Sequence, residues 1–126
     1  MPEKTNLSEV FAAIKPLLEK HVPPFSPIRN DEKRYEIISK KPAEIMGKKR
    51  NGIYFASIVV HKGFVGFYLM HIYAQPGEIE RLGPELRKCL KGKSCFHIKS
   101  ADKALMAQIK KALVDGARCY KKLGWV

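Results

Sequence analysis

The middle of the chain contains two apolar segments, residues 53–61 and 64–73, with only Lys62 and Gly63 between them. Both segments are rich in β-branched and aromatic residues, which favour β-strands. Two turn residues between two such segments predict a tight antiparallel hairpin. This hairpin constrains the fold more than any other feature, because it requires a sheet on which the rest of the chain can pack.

Further strands are predicted on both sides of this hairpin. Residues 34–39 alternate between apolar and polar side chains, and residues 41–48 form a plausible second strand. The pair Asn51 and Gly52 predicts a hairpin turn that leads into the central hairpin. A short strand is predicted over residues 94–99. Together these segments predict an antiparallel sheet of about five strands.

Two other segments follow helical spacing. Residues 7–21 form an amphipathic pattern, and Pro16 within it predicts a kink or a helix in two pieces. Residues 76–90 form a second helical stretch, which Gly83 and Pro84 interrupt.

The last helix, predicted over residues 101–123, has the clearest amphipathic pattern. Ser100 is expected to cap its start, and Gly124 is expected to end it. Its apolar face is predicted to consist of Leu105, Ile109, Ala112, Leu113, Gly116, Tyr120 and Leu123. Terminal helices packed on an antiparallel sheet define an α+β fold with two layers. We expect residues 1–126 to form a single domain, with 1–5 as a flexible tail.

The composition is that of a folded, basic protein. The chain has 126 residues, of which 45% are hydrophobic, and this excludes disorder across the whole chain. Its 24 Lys and Arg residues exceed its 12 Asp and Glu residues, so the net charge is +12, which is compatible with an anionic partner. The N-terminus lacks the apolar core of a secretory signal, the apolar stretches are too short to span a bilayer, and the three cysteines form no CxxC pair. We therefore expect a cytoplasmic protein without a membrane partner.

The sequence lacks the motifs of common enzyme classes. Neither GxSxG nor HExxH occurs, and no pair of carboxylates indicates acid–base catalysis. Gly92, Lys93 and Ser94 are similar to the end of a phosphate-binding loop, but Arg87 stands where that motif requires its first glycine. We interpret these three residues as a turn, and we expect a binding protein rather than an enzyme, with no evident cofactor.

Two soft metal ligands, Cys95 and His97, are two residues apart in the predicted strand 94–99. Strand alternation therefore places both side chains on one face. The alternative is that they are ordinary strand residues. His61 and His71 fall near the ends of predicted strands, where we expect them to be solvated rather than to bind a metal.

Basic residues flank two of the predicted strands. Lys48, Lys49 and Arg50 follow one strand, Lys91 and Lys93 precede another, and all five are candidate anion-binding residues. Aromatic side chains on the predicted sheet are candidate stacking faces for single-stranded nucleic acid: Tyr54, Phe67, Tyr68 and Tyr73. The alternative is that these aromatic residues form the core.

Several stretches of the chain resemble a known family. Residues 53–57, 62–68 and 90–99, together with the closing Gly124-Trp125-Val126, are similar to the YdhG-like family of small bacterial proteins. One bacillary member of that family is regarded as a frataxin-like iron chaperone for iron–sulfur cluster and haem assembly. The resemblance implies a compact α+β domain with terminal helices over an antiparallel sheet. It also implies iron as the cargo and iron–sulfur or haem assembly proteins as partners.

An iron carrier needs ligands, and hard cations prefer oxygen. Asp31 and Glu32 form the adjacent acidic pair of the sequence and join Cys95 and His97 as candidate iron ligands. The alternative for the acidic pair is a solvated turn. We therefore expect a small cytoplasmic binding or carrier protein, which by resemblance is an iron chaperone. The alternative function is a basic module that binds nucleic acid or another polyanion.

Overall fold

The computed structural model describes residues 7–22, 25–40, 43–45, 48–50, 52–92 and 94–126. Along the chain, the elements are α1 (Leu7–Glu19), β1 (Ser26–Asn30), β2 (Arg34–Ser39), β3 (Ala43–Ile45), β4 (Lys48–Arg50), β5 (Ile53–His61), β6 (Phe64–Leu69), α2 (Met70–Ala74), a 3₁₀ helix (Pro76–Arg81), α3 (Pro84–Cys89), β7 (Leu90–Lys91), β8 (Cys95–Ile98) and α4 (Lys103–Leu123). The predicted tail, 1–5, lies outside the described residues.

The predicted central hairpin is confirmed. His61 and Phe64 are opposite each other at its end, and Gly63 has a φ of 91°, which a residue with a Cβ rarely adopts. The hairpin lies in the middle of a six-stranded sheet with the order β1-β2-β5-β6-β8-β7, and each neighbouring pair is antiparallel. The sheet has six strands rather than about five, because β1 and β7 join it although neither was predicted, whereas the predicted strand 41–48 does not.

Helices cover one face of this sheet. The helix α1 packs on β5 and β6, while α4 packs against α1, α2 and α3. The strands alternate accordingly, and the side chains that face the helices are buried. These core residues of the sheet include Tyr35, Ile37, Ile53, Phe55, Ala56, Ile58, Val65, Phe67, Leu69, Phe96 and Ile98. The predicted α+β class, with N- and C-terminal helices on an antiparallel sheet, is therefore confirmed.

Three aromatic rings join the helices to the sheet at the centre of the core. The rings of Phe25 and Phe55 are stacked, with centroids 3.9 Å apart, and the ring of Tyr120 meets Phe55 edge-on at 5.1 Å. The Tyr120 hydroxyl donates a hydrogen bond to the backbone carbonyl of Tyr54. Such a buried hydroxyl needs a partner, and this bond fixes α4 relative to β5.

The ends of α4 differ partly from the prediction. Asp102, rather than Ser100, caps the helix, because its carboxylate accepts a hydrogen bond from the backbone N–H of Leu105 at 3.1 Å. Gly124 ends the helix as predicted, with a φ of 77°. Leu123 is 38% exposed, so it does not belong to the buried face.

Of the two outcomes predicted for Pro16, the helix in two pieces is wrong, because Pro16 lies within the single helix α1. The segment after β6 also differs from the prediction. The strand predicted to run to Tyr73 ends at Leu69, and α2 follows directly. Short apolar segments are compatible with either a strand or a helix, and here consecutive residues, His71 and Ile72, are both buried in the helical layer.

The segment between β2 and β5 forms two short strands, where one was predicted over 41–48. These strands, β3 and β4, pair with each other in a separate sheet. Asn51 of the predicted turn lies outside the described residues. The strands on either side of that turn do not pair with each other, because β5 pairs with β2 and β6.

His71 was predicted to be solvated, and this prediction was wrong. Its side chain is 1% exposed, and its Nδ1 atom has no hydrogen-bond partner. Gly116 of α4 lies against it, such that a Cβ on Gly116 would be 2.6 Å from His71 Nδ1. Burial lowers the pKa of His71 to about 4, although the Asp115 carboxylate acts in the opposite direction. The imidazole is therefore neutral at pH 7.

Among the residues that the structure describes, no helix combines the length and apolar composition that a membrane span requires.

Candidate functional site

The face of the sheet opposite the helices, here called the outer face, contains most of the polar side chains of the strands. A row of residues opposite one another crosses all six strands on this face. That row consists of Arg29, Glu36, Ser57, Tyr68, Cys95 and Lys91. A shorter adjacent row consists of Arg34, Val59, Gly66 and His97. The outer face therefore brings together residues from distant parts of the chain.

A stack of three rings crosses one end of the outer face. Phe64 lies between two imidazoles, with ring centroids 4.9 Å from His61 and 3.8 Å from His97. The rings are inclined by 27° and 14°, so both contacts are stacked. The three residues come from β5, β6 and β8, and the ring spacing approaches the spacing of about 4.8 Å between neighbouring strands. The stack therefore runs across the strands, from the centre of the sheet towards β7.

Tyr68 supports one end of this ring stack. Its hydroxyl and His61 Nε2 are hydrogen-bonded at 2.9 Å, and its ring lies against Gly66. A Cβ on Gly66 would be 2.9 Å from the Tyr68 ring and 3.0 Å from the His61 ring. Burial raises the pKa of Tyr68, and the neighbouring Cys95 raises it further. The phenol therefore stays protonated, and Gly66 supplies the space that both rings need.

The charge around the ring stack is positive. The strands β5, β6, β7 and β8 contain no Asp or Glu. Lys62 in the hairpin turn, Lys91 on β7 and Lys99 directly after β8 are all exposed. The carboxylate of the outer-face row, Glu36, lies 3.4 Å from the Arg34 guanidinium. An approaching anion therefore meets lysine side chains without a competing carboxylate on these four strands.

The four predicted metal ligands do not come together. Asp31 lies in the turn between β1 and β2, where its carboxylate accepts a hydrogen bond from the Lys33 N–H at 3.0 Å. Glu32, beside it, is exposed. Cys95 and His97 share the outer face, as predicted, but β5 and β6 separate them from β2. Within the described ranges, no group of three His, Cys, Asp or Glu side chains could hold a metal ion.

The ring stack also keeps its two histidines apart. Because Phe64 lies between the rings of His61 and His97, these imidazoles cannot share a metal ion without moving that ring.

The stack was not predicted from the sequence. A signal for it exists, since His61 and Phe64 flank a two-residue turn and must therefore be cross-strand neighbours.

The predicted anion-binding and stacking residues occupy different places. Lys48, Lys49 and Arg50 form β4, Lys91 lies on the outer face, and Lys93 lies outside the described residues. Of the predicted stacking residues, Tyr54 and Tyr68 lie on the outer face, Phe67 is buried in the core, and Tyr73 is 46% exposed on α2.

The chain matches no protein-family model, no curated protein and no solved structure. The resemblance to the YdhG-like family therefore stays a prediction.

Proposed function

We propose that the protein binds single-stranded nucleic acid on the outer face of its sheet. The observation that supports this proposal is the stack of His61, Phe64 and His97 on strands without carboxylates. Proteins that bind single strands combine aromatic rings, on which bases stack, with cations that contact the phosphates. A net charge of +12 adds a long-range attraction for such a polyanion.

In the proposed complex, a base continues the direction of the ring stack. The stack runs from His61 across Phe64 to His97, so a further ring beyond His97 lies next to the end of β7, which pairs with β8 at Phe96 and Cys95. Lys91 is exposed at that edge, and Lys99 is exposed next to the end of β8. A base stacked on His97 therefore has its phosphates beside these two lysines. Paired bases in a duplex cannot occupy this position without unstacking.

The test is fluorescence anisotropy with a labelled single strand of about 12 nucleotides. We expect His97→Ala and Phe64→Ala to weaken binding by about 5- to 150-fold, the range that corresponds to loss of one stacked base. Tyr73→Ala is the matched control, because Tyr73 is an exposed aromatic residue on the helical side. Its affinity should stay within about twofold of the unchanged chain.

The same assay distinguishes stacking from charge alone. Two lysine–phosphate contacts, with Lys91 and Lys99, predict that log K falls against log salt concentration with a slope of about −1.4. A duplex of the same sequence should bind more weakly than the single strand. Equal losses in His97→Ala and Tyr73→Ala, or equal affinity for duplex and single strand, would contradict the proposal. Circular dichroism of each variant provides the folding control.

A second candidate function, an iron carrier, is supported by the resemblance and by the position of Cys95 and His97 on one face. The test is an anaerobic calorimetric titration with Fe(II). Cys95→Ser should abolish saturable binding, whereas Cys119→Ser, which changes a cysteine of α4, should not. A flat titration of the unchanged chain would exclude this function. Because Cys95 is not part of the ring stack, Cys95→Ser also separates iron binding from nucleic-acid binding.

A further inference from the structure

The helical layer contains a cleft that the proposed nucleic-acid site does not use. It lies between the 3₁₀ helix and the C-terminal half of α4, and its volume is about 640 Å³. Sites for small molecules commonly have volumes of roughly 300–1,000 Å³. Gly77 lines the cleft, and a Cβ at this position would meet nothing within 4 Å. The cleft is therefore large enough for a small organic ligand.

The two carboxylates that line the cleft are already neutralised. Glu78 pairs with the Arg81 guanidinium at 2.9 Å, and Asp115 pairs with the Lys111 ammonium at 3.1 Å. Lys111 also donates a hydrogen bond to the backbone carbonyl of Arg81 at 3.3 Å, which holds the 3₁₀ helix against α4. These contacts fix the walls of the cleft and leave little negative charge to attract a cation.

Two further cations line the cleft, and no carboxylate in the described part of the chain is within 4.0 Å of them. These residues, Arg118 and Lys122, are four positions apart, so they lie on the same side of α4. Arg presents a planar set of donors that matches a phosphate or carboxylate, and Lys adds a second positive charge. Two adjacent cations favour a dianion over a monoanion.

The cysteine of the cleft points to binding rather than nucleophilic chemistry. Burial raises the pKa of the Cys119 thiol, and the Glu78 carboxylate raises it further, although Lys122 acts in the opposite direction. A thiol that stays protonated at neutral pH is a weak nucleophile. It contributes a soft, largely apolar surface beside the two cations, as does the half-exposed Leu123.

We propose that this cleft binds a small organic phosphate, with Arg118 and Lys122 on the phosphate group and the organic part beside Cys119 and Gly77. The test is an amide chemical-shift titration of the ¹⁵N-labelled chain with phenyl phosphate. Benzoate, a monoanion, and benzylamine, a cation of similar size, are the comparison probes. Phenyl phosphate should shift the amides near Gly77 and in the second half of α4 and should reach saturation.

Variants make the assignment specific. Arg118→Ala should weaken phenyl phosphate binding by about 10-fold, which is the effect of losing one charge-assisted contact. Gly77→Phe should weaken binding by occupying the cleft. Arg87→Ala is the matched control, because Arg87 is an exposed arginine of α3 that does not line the cleft. Equal affinity in Arg118→Ala and Arg87→Ala, equal binding of benzylamine, or shifts confined to the outer face would overturn the proposal.

Discussion

Buried His71 makes the stability of the fold depend on pH, and a single substitution tests this. The group has a pKa of about 4 in the folded protein against 6.5 in the unfolded chain, mainly because its burial disfavours the imidazolium. Between these values the unfolded chain binds more protons than the folded one, so acid favours unfolding. The contribution of neutral His71 is fully present above pH 6.5 and is lost as the pH falls towards 4.

The size of the effect follows from the two pKa values. Between about pH 7 and pH 5, the difference in proton binding reduces the free energy of unfolding by about 2 kcal/mol. His71→Met removes the titration and keeps an unbranched apolar side chain in the site. We therefore expect the free energy of unfolding of the variant to fall by about 2 kcal/mol less than that of the unchanged chain over this pH interval.

Urea denaturation at several pH values measures this difference. Trp125 is a suitable fluorescence reporter, because it is the chain's single tryptophan and meets the Tyr120 ring edge-on at 5.1 Å. His21 provides the comparison, since its pKa is also lowered by burial, and by Lys20, but its side chain is only half-buried. His21→Met should therefore remove less of the pH dependence. Equal losses of unfolding free energy in His71→Met and the unchanged chain between pH 7 and pH 5 would show that His71 does not cause the pH dependence.

Three further substitutions test packing and capping by urea denaturation. Tyr120→Phe should lower the free energy of unfolding by about 1–2 kcal/mol, because it removes the hydrogen bond to the Tyr54 carbonyl. Gly116→Ala should cost about 1 kcal/mol, because the clash with the buried His71 ring exceeds the gain in helix propensity. Asp102→Ala should cost about 1 kcal/mol, because it removes the N-cap of α4.

Matched controls accompany these substitutions. Gly77→Ala should be tolerated, since its Cβ enters open space, and a loss equal to that of Gly116→Ala would contradict the clash argument. Ser100→Ala should leave stability within about 0.5 kcal/mol, since Asp102 is the capping residue. A larger loss in Ser100→Ala than in Asp102→Ala would show that the cap is assigned to the wrong residue. For Tyr120→Phe, an unchanged urea midpoint would contradict the stabilising effect of the hydrogen bond to the Tyr54 carbonyl.

The parts of the fold that could be predicted from sequence depend on local patterns. The hairpin around Gly63 and the amphipathic face of α4 are specified by neighbouring residues, so both were predictable. The end of β6 was not predictable, because the segment after Leu69 is compatible with a strand or a helix. The structure shows a helix here, in which His71 is buried against Gly116 of α4, and the sequence does not indicate this contact.

The candidate site was harder to predict because it depends on strand order. Alternation along one strand correctly placed Cys95 and His97 on one face. It could not show that β8 pairs with β6, which brings His97 onto the Phe64 ring. Nor could it show that Asp31, in the turn between β1 and β2, lies near the opposite edge of the sheet from β8. The cap of α4 illustrates the same limit on a smaller scale. Both Ser100 and Asp102 are capping residues by type, and only the backbone geometry distinguishes them.

The aromatic centre of the core has a consequence for the folding pathway. The Tyr120–Tyr54 hydrogen bond joins residues 66 apart, and the Ser39 hydroxyl bonds to the Trp125 carbonyl across 86 residues. Contacts of such large sequence separation slow folding, and the central hairpin, whose contacts are local, can form before them. We therefore expect the contacts of Tyr120 to be absent from the folding transition state. Tyr120→Phe should then accelerate unfolding and leave the folding rate nearly unchanged, which stopped-flow kinetics can measure.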